Sequence, residues 1–96
     1  MTAYVIGHIT IKSPAKWAEY RSQVPGTLTP WGGELVLRGT KADVLSGQFP
    51  HTDTVVIRFP DRESAVAWHD STRYQELVAL REEAADVDLV SYEADA

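Results

Sequence analysis

Three short segments of the chain alternate apolar and polar side chains with a period of two residues: 4–11, 34–38 and 54–59. Successive side chains of a strand point to opposite faces of a sheet. The pattern therefore predicts three β-strands, each with an ionisable residue on the face opposite most of its apolar side chains. These ionisable residues are His8, Arg38 and Arg58.

Helix signals lie between the predicted strands. Ser13 suits a helix cap and Pro14 suits the first helical position. Apolar residues then recur at three- and four-residue spacing until the Pro-Gly pair at 25–26, which is predicted to break or kink this helix. Asp61 is predicted to cap a second helix, which is interrupted at 70–71 and then resumes.

The predicted strands cover residues 3–11, 34–45, 53–59 and 87–93, so the order of elements is β-α-β-β-α-β. This order is that of the ferredoxin-like, split β-α-β arrangement, an α+β fold. Right-handed crossovers and a short hairpin place the first and third strands in the centre of an antiparallel four-stranded sheet. Both helices are then expected to cover one face of that sheet.

The other sheet face is predicted to be too apolar for free exposure to water. It is expected to carry Ile6, Val36 and Val56, with Val90 from the last strand. Sheets with a bare, half-apolar face commonly pack on another sheet. A chain of 96 residues also buries only a modest core by itself. The sequence therefore predicts a homodimer with two sheets face to face.

Composition narrows the possible partners. Nine Lys and Arg residues stand against 14 Asp and Glu residues, for a net charge of -5, which disfavours a nucleic-acid partner. The sequence has no cysteine and no apolar run of the roughly 20 residues that a membrane helix needs. We expect a single cytoplasmic domain over residues 1–96, with no signal peptide, no membrane partner and no motif for a metal or cofactor.

Several stretches together resemble one known family over nearly the whole chain. The most specific of them is Trp68-x-x-Ser71-x-x-Tyr74, with Arg81 behind it. The family is the domain-of-unknown-function 1330 family, a branch of the dimeric α/β-barrel superfamily. The other matching stretches are 3–9, 17–20, 31–34 and 56–60.

This resemblance implies a ferredoxin-like fold, a homodimer and a single dimeric α/β-barrel domain. It implies little about chemistry, because the family carries no settled activity. The wider superfamily includes cofactor-free monooxygenases, polyketide cyclases, muconolactone isomerases, haem-degrading oxygenases and stress proteins. Fold similarity does not choose among these functions.

A first candidate site combines His8, Arg38 and Arg58. A simple hairpin register places the two arginines side by side, where a carboxylate between them would relieve their repulsion. The first hypothesis is an anion pocket in which His8 acts as acid or base. The alternative is a salt network at the dimer interface. Its partners would be Glu34, Asp88 or Glu93.

A second group of candidates is aromatic and lies in the helix layer. Tyr20, Trp68 and Tyr74 would line a small-molecule cavity between helices and sheet, with Arg81 as a further polar group. The alternative is that the aromatic residues form ordinary core. His51, in the loop before the third strand, is a further ligand-binding candidate or simply a solvated histidine.

The leading hypothesis is therefore a homodimer that binds a small anionic or aromatic metabolite. His8 would support cofactor-free acid–base chemistry of the isomerase, cyclase or monooxygenase type. The alternative is a non-catalytic binding or assembly module whose polar sheet face only forms the dimer interface. A metal- or haem-dependent enzyme ranks third, with His51 or His69 as the candidate haem ligand. The sequence leaves open whether the protein is an enzyme.

Overall fold

The computed structural model describes residues 1–95, and these form one antiparallel sheet with the strand order β2-β3-β1-β4. This order confirms the ferredoxin-like arrangement with the first and third strands in the centre. The predicted domain runs to residue 96, which lies outside the described residues. The elements are β1 (Thr2–Ile11), α1 (Pro14–Leu28), a 3₁₀ helix (Thr29–Trp31), β2 (Glu34–Thr40), β3 (Asp53–Phe59), α2 (Arg62–Asp70), α3 (Thr72–Gln75), α4 (Val78–Ala84) and β4 (Ala85–Ala94).

The core lies between the helices and one face of the sheet. Along β1 the buried positions alternate, so Ala3, Val5 and Ile9 face the helices. Ile57 and Phe59 of β3 pair with Val5 and Ala3 and extend the same buried surface. The other side of the sheet, termed the open face below, carries no helix among the described residues. The residues of β1 between these buried positions, such as Ile6 and His8, are partly exposed and lie on the open face, as the alternation in the sequence predicted.

The predicted helix caps are confirmed. The Ser13 side chain accepts from the Lys16 amide, and that of Asp61 accepts from the Ser64 amide. Ser71 caps the resumed helix by accepting from the Tyr74 amide. Such caps satisfy amide groups that have no partner within the first helical turn.

The Pro-Gly pair at 25–26 was predicted to break or kink α1, and it does not break the helix. The helix continues to Leu28 with Pro25 inside it. Proline removes one backbone hydrogen bond in a helix interior. Val24 and Leu28 flank the pair and are both buried in the core. Their packing supplies the physical reason for the continuation.

The second strand is also shorter than predicted, because β2 ends at Thr40 rather than at residue 45. Thr40 pairs with Asp53, the first residue of β3, so a longer β2 would have no partner on that side. Residues 41–50 instead form an exposed loop that returns to the sheet at Thr52, whose amide donates to the Ile9 carbonyl.

A β-bulge in β2 changes which side chains face the helices. Leu35 pairs with Ile57 but Leu37 pairs with Val56, so Val36 is an extra residue in the ladder. A residue inserted into one strand reverses the faces of all that follow. Leu37 therefore lies on the open face and Arg38 on the helix side, whereas simple alternation predicted the reverse.

No helix formed by residues 1–95 is both long enough and apolar enough to span a bilayer.

Candidate functional site

A cavity of about 290 Å³ lies between α1 and the helix side of the sheet, and is termed the cavity below. One row of paired residues crosses all four strands beneath it: Arg38, Val55, Gly7 and Leu89. Gly7 has no side chain, so Val55 and Leu89 close over it. A Cβ atom built on Gly7 would lie 2.8 Å from Val55 Cγ1 and 3.2 Å from Leu89 Cδ2. Val55 and Leu89 therefore form the floor of the cavity at this point.

The floor is polar over one pair of strands and apolar over the other. The next row of paired residues is Thr40, Asp53, Ile9 and Val87, from β2, β3, β1 and β4. The polar side chains of the two rows, which are Arg38, Thr40 and Asp53, therefore lie on β2 and its neighbour β3. The half of the cavity over β1 and β4 is lined by aliphatic side chains. Such a polarity gradient suits an amphipathic small molecule.

Helix α1 forms the roof. Trp17, Arg21 and Val24 recur at four- and three-residue spacing, which places them on one face of the helix. Tyr20 lines the same wall, and Trp68 of α2 closes the inner end. The Trp17 and Tyr20 rings lie 5.1 Å apart between centroids.

Two arginines meet at the polar end of the cavity. Partial burial lowers the pKa of Arg38, and the positive charge of Arg21 lowers that pKa further. Within residues 1–95, no carboxylate oxygen lies within 4.0 Å of either guanidinium group. Arginine remains charged at neutral pH, so the two side chains form an uncompensated cationic pair at the mouth of an aromatic-lined cavity.

Asp53 also lines this end, but its carboxylate is held by hydroxyl groups. Thr52 Oγ1 donates to Asp53 Oδ1 at 2.8 Å, and Thr40 Oγ1 donates to Oδ2 at 3.4 Å. Asp53 therefore adds a carboxylate to the cavity wall without pairing directly with either arginine.

The aromatic candidates are divided between wall and core. Tyr20 and Trp68 line the cavity as predicted, whereas Tyr74 and Arg81 do not. Tyr74 is completely buried between helices and packs on Trp68, with ring centroids 4.3 Å apart. Arg81 Nη1 donates to the Tyr74 hydroxyl at 2.9 Å. Neither residue lines this cavity, and a ligand-binding role for them stays a prediction.

Trp68 serves the core and the cavity together. It is 1% exposed, and its indole Nε1 donates to Thr27 Oγ1 at 3.0 Å. The Phe59 ring packs on its other side, with a centroid separation of 5.4 Å. Because its polar atom is bonded to protein, Trp68 offers a ligand an apolar surface.

His8 lies on the open face, across the sheet from the cavity. Phe49 packs edge-on against its ring at 5.4 Å, and the His51 ring stacks at 6.1 Å. His8 Nδ1 is buried and has no hydrogen-bond partner in the part of the chain that the structure describes.

His51 is tied to the open face rather than solvated. Its Nε2 lies 2.9 Å from Asp88 Oδ2, and its Nδ1 lies 3.1 Å from Thr10 Oγ1. Both ring nitrogens are engaged by protein groups. This arrangement fits a side chain that fixes the loop on the sheet better than a ligand to haem iron. His69, on α2, packs beside Tyr74 of α3, with ring centroids 5.5 Å apart.

Arg58 also lies on the open face and is paired with protein. Its Nη2 donates to Glu34 Oε2 at 2.7 Å, and Glu34 is its cross-strand neighbour. This hydrogen bond raises the pKa of Arg58. Glu34 is one of the three carboxylates that the salt-network interpretation named, and here the pair forms within one chain.

The structure therefore does not bring His8, Arg38 and Arg58 together. Arg38 pairs with Val55 rather than facing Arg58, and the bulge at Val36 sends it to the helix side. The predicted common face is wrong for Arg38. The catalytic role of His8 stays a prediction, without the two-arginine setting on which it was based.

Sequence reasoning missed Arg21 and Asp53. Arg21 lies four residues after Trp17 and three before Val24, and this spacing placed it on the inward face of α1. Asp53 opens β3, directly opposite Thr40. Within residues 1–95, no group of three or more His, Asp or Glu side chains is placed to hold a metal ion.

Comparison with known proteins agrees with the topology. Residues 2–94 match the family described as Domain of unknown function (DUF1330). The chain belongs to the DUF1330 family. No curated protein matches this DUF1330 chain.

Solved structures show the same fold at low sequence identity. The protein of unknown function RPA0582 from Rhodopseudomonas palustris is 17% identical with a TM-score of 0.78, covering 99% of this DUF1330 chain and 83% of that chain. A dimeric ferredoxin-like protein of unknown function from Jannaschia sp. CCS1 is 12% identical with a TM-score of 0.70, covering 98% and 100%.

One similar structure has a described chemistry. SnoaB, a cofactor-independent oxygenase from Streptomyces nogalater, is 9% identical with a TM-score of 0.69, covering 99% of this chain and 94% of that chain. At such identities the likeness to SnoaB shows the fold alone.

Proposed function

We propose that the protein binds a small, flat, largely apolar molecule that carries a carboxylate or another anionic group. The anion lies between Arg21 and Arg38 at the polar end of the cavity. The apolar part lies over Ile9 and Leu89, against Trp68. The same complex would form whether the protein only binds the molecule or also converts it.

The uncompensated arginine pair carries the proposal. The positive charge of Arg21 contributes to the lowered pKa of Arg38, and two like charges that interact in this way are unfavourable without an anion. Arginine recognises carboxylates in a planar, bidentate geometry. Both arginines are exposed in part to solvent, and both also line the cavity. An anionic ligand would remove the repulsion while its apolar part fills the space beyond.

A matched pair of probes tests the anion requirement. The probes are 4-isopropylbenzoate and the uncharged 4-isopropylbenzamide, titrated calorimetrically. The carboxylate is expected to bind and the amide to bind far more weakly. Arg38→Gln is expected to weaken carboxylate binding by about 10-fold, the effect of losing one charge-assisted hydrogen bond.

Arg62→Gln is the matched control, because Arg62 is exposed at the start of α2 and does not line the cavity. It removes the same charge and should leave carboxylate affinity unchanged. Equal binding of the carboxylate and the amide would contradict the proposal. An equal loss in the Arg62 and Arg38 variants would assign the effect to net charge instead of to the site.

Acid–base chemistry in this cavity stays a prediction. His8 lies on the other face of the sheet, so it cannot act on a molecule held between Arg21 and Arg38. Among the described residues, Asp53 is the one carboxylate that lines the cavity. A catalytic version of the function would use Asp53 as proton acceptor.

We infer that the open face packs against a second copy of the chain. Leu37, Val90 and Tyr92 are 47%, 39% and 48% exposed there in a single chain. Ile6 lies between Val56 and Val90 and completes an apolar strip across the sheet. Strips of this kind mark protein interfaces. The similar protein from Jannaschia sp. CCS1 is itself described as dimeric.

Light scattering on a sizing column tests this dimer. The protein is expected to show a mass of about twice 10.7 kDa, and Val90→Asp is expected to shift it to the monomer mass. Val66→Asp on α2 makes the same change at a similarly exposed valine outside the open face and should stay dimeric. A monomeric wild-type protein at micromolar concentration would refute the inferred interface.

A further inference from the structure

A buried hydrogen-bond chain runs from the cavity wall to the helix surface. The Tyr20 and Tyr74 hydroxyl oxygens lie 2.8 Å apart, and Arg81 Nη1 donates to the Tyr74 hydroxyl at 2.9 Å. Tyr20 lies on α1 and lines the cavity, whereas Tyr74 lies on α3 and is 0% exposed. The three side chains therefore link α1, α3 and α4 through polar atoms inside the helix layer.

The number of protons that these three side chains supply determines the direction of the hydrogen bonds between them. A guanidinium group only donates, so Tyr74 oxygen accepts from Arg81. The bond between the two hydroxyl groups uses one hydroxyl proton and leaves the other without a protein acceptor among residues 1–95. If Tyr20 donated to Tyr74, the spare proton would belong to a fully buried residue. A buried donor without a partner is strongly unfavourable.

The opposite direction leaves the spare proton on the tyrosine that borders the cavity. Tyr74 then donates to Tyr20, and the Tyr20 proton can reach water or a ligand there. Arg81 supports this arrangement, because a cation that donates to Tyr74 makes the Tyr74 hydroxyl a better donor in turn. Burial, together with the neighbouring Tyr74, raises the pKa of Tyr20 well above its ordinary value. Tyr20 therefore stays protonated.

We propose that the Tyr20 hydroxyl is the hydrogen-bond donor of the cavity and selects ligands with an acceptor oxygen away from the anionic group. Tyr74 and Arg81 are positioning residues that fix its direction. The proposal rests on the proposed function, since it concerns the same cavity. It narrows the ligand class to aromatic carboxylates that also carry a carbonyl or similar oxygen.

The anionic group and the acceptor oxygen of the ligand would be bound at opposite sides of the cavity. Arg21 lies toward Arg38 on the edge strand β2, whereas the Tyr20 hydroxyl lies toward α3, where it meets Tyr74. A ligand with both groups would lie between the β2 edge and α3. A carbonyl that gains negative charge during proton transfer would accept a stronger hydrogen bond from Tyr20.

Two probes of nearly the same shape test the donor. In 4-acetylbenzoate a carbonyl oxygen replaces one methyl group of 4-isopropylbenzoate. The wild-type protein is expected to prefer the acetyl compound by about three- to tenfold, the effect of one neutral hydrogen bond. Tyr20→Phe should abolish this preference, so that the two probes bind the variant with equal affinity.

Arg81→Gln and Arg81→Lys separate positioning from mere stability. The glutamine variant is expected to reduce the preference for the acetyl probe, and lysine, which keeps the cation, should restore much of it. A residue that only stabilised the fold would change the melting temperature and leave the ratio of the two affinities unchanged. The infrared band of the bound acetyl carbonyl supplies a readout on the wild-type protein alone. It should shift to lower frequency, and the shift should be absent in Tyr20→Phe.

Equal affinity of the wild-type protein for the two probes would overturn the assignment of Tyr20. So would a preference that survives in Tyr20→Phe, or an unshifted carbonyl band. If the wild-type protein binds neither carboxylate, the proposed function itself fails and this inference fails with it. Binding of both without preference leaves the anion site standing and refutes only the role of Tyr20.

Discussion

Replacing Trp68 by alanine is expected to lower the free energy of unfolding by about 3–5 kcal/mol, the usual range for removal of a large buried aromatic side chain. The indole is 1% exposed and contacts the Phe59 and Tyr74 rings. Its removal also leaves the buried Thr27 hydroxyl without its donor. The loss would be a large fraction of the stability of a domain of this size.

Urea denaturation followed by circular dichroism measures this effect. Val66→Ala is the control, because Val66 lies two residues earlier on the same helix and is 43% exposed. Its loss should stay below about 1 kcal/mol, as for most surface substitutions. A Trp68→Ala loss no larger than that of Val66→Ala would mean that the α2 side chains do not form the core described here.

Gly7→Ala is expected to cost about 1–3 kcal/mol of stability by overpacking and to reduce ligand affinity at the same time. The added Cβ would lie 2.8 Å from Val55 Cγ1, too close for an undisturbed contact. Val55 and Leu89 must then move toward the cavity. One methyl group on the floor thus tests both the packing and the site.

Val55→Ala provides a specific rescue. If the two side chains compete for one space, the double variant Gly7→Ala/Val55→Ala should be more stable than the sum of the single effects predicts. Gly39→Ala is the control glycine in a strand, since its Cβ would meet Thr54 Cγ2 at an ordinary 3.7 Å. Strict additivity of the two changes at positions 7 and 55 would refute the proposed crowding.

The sequence predicted the fold well because short-range signals and connectivity agree. Ser13, Asp61 and Ser71 mark helix starts through local hydrogen bonds that any such helix needs. Alternation in β1 was sufficient to assign both faces of a central strand. These features depend on neighbours in sequence, so the sequence contains them directly.

The site was harder to predict because it depends on pairing between strands. The position of Arg38 follows from a bulge at Val36, and alternation cannot show a bulge in advance. The hairpin register depends on the 41–52 loop, whose folding onto the sheet is fixed by contacts such as His51 with Asp88. Helix periodicity could have placed Arg21 on the same face of α1 as Trp17 and Val24. An exposed arginine on a helix is ordinarily solvated, however, so this spacing alone does not indicate a site.

The bulge in β2 has a consequence for how this family diverges. With the same residues but no bulge, Val36 would pair with Val56 and Arg38 with Thr54, so Arg38 would turn to the open face and Leu37 to the helix side. A straight strand of the same composition would thus place an aliphatic side chain where the bulged strand places the arginine of the proposed anion site. Family members that keep the length of this edge strand but lack its bulge should therefore select different small molecules.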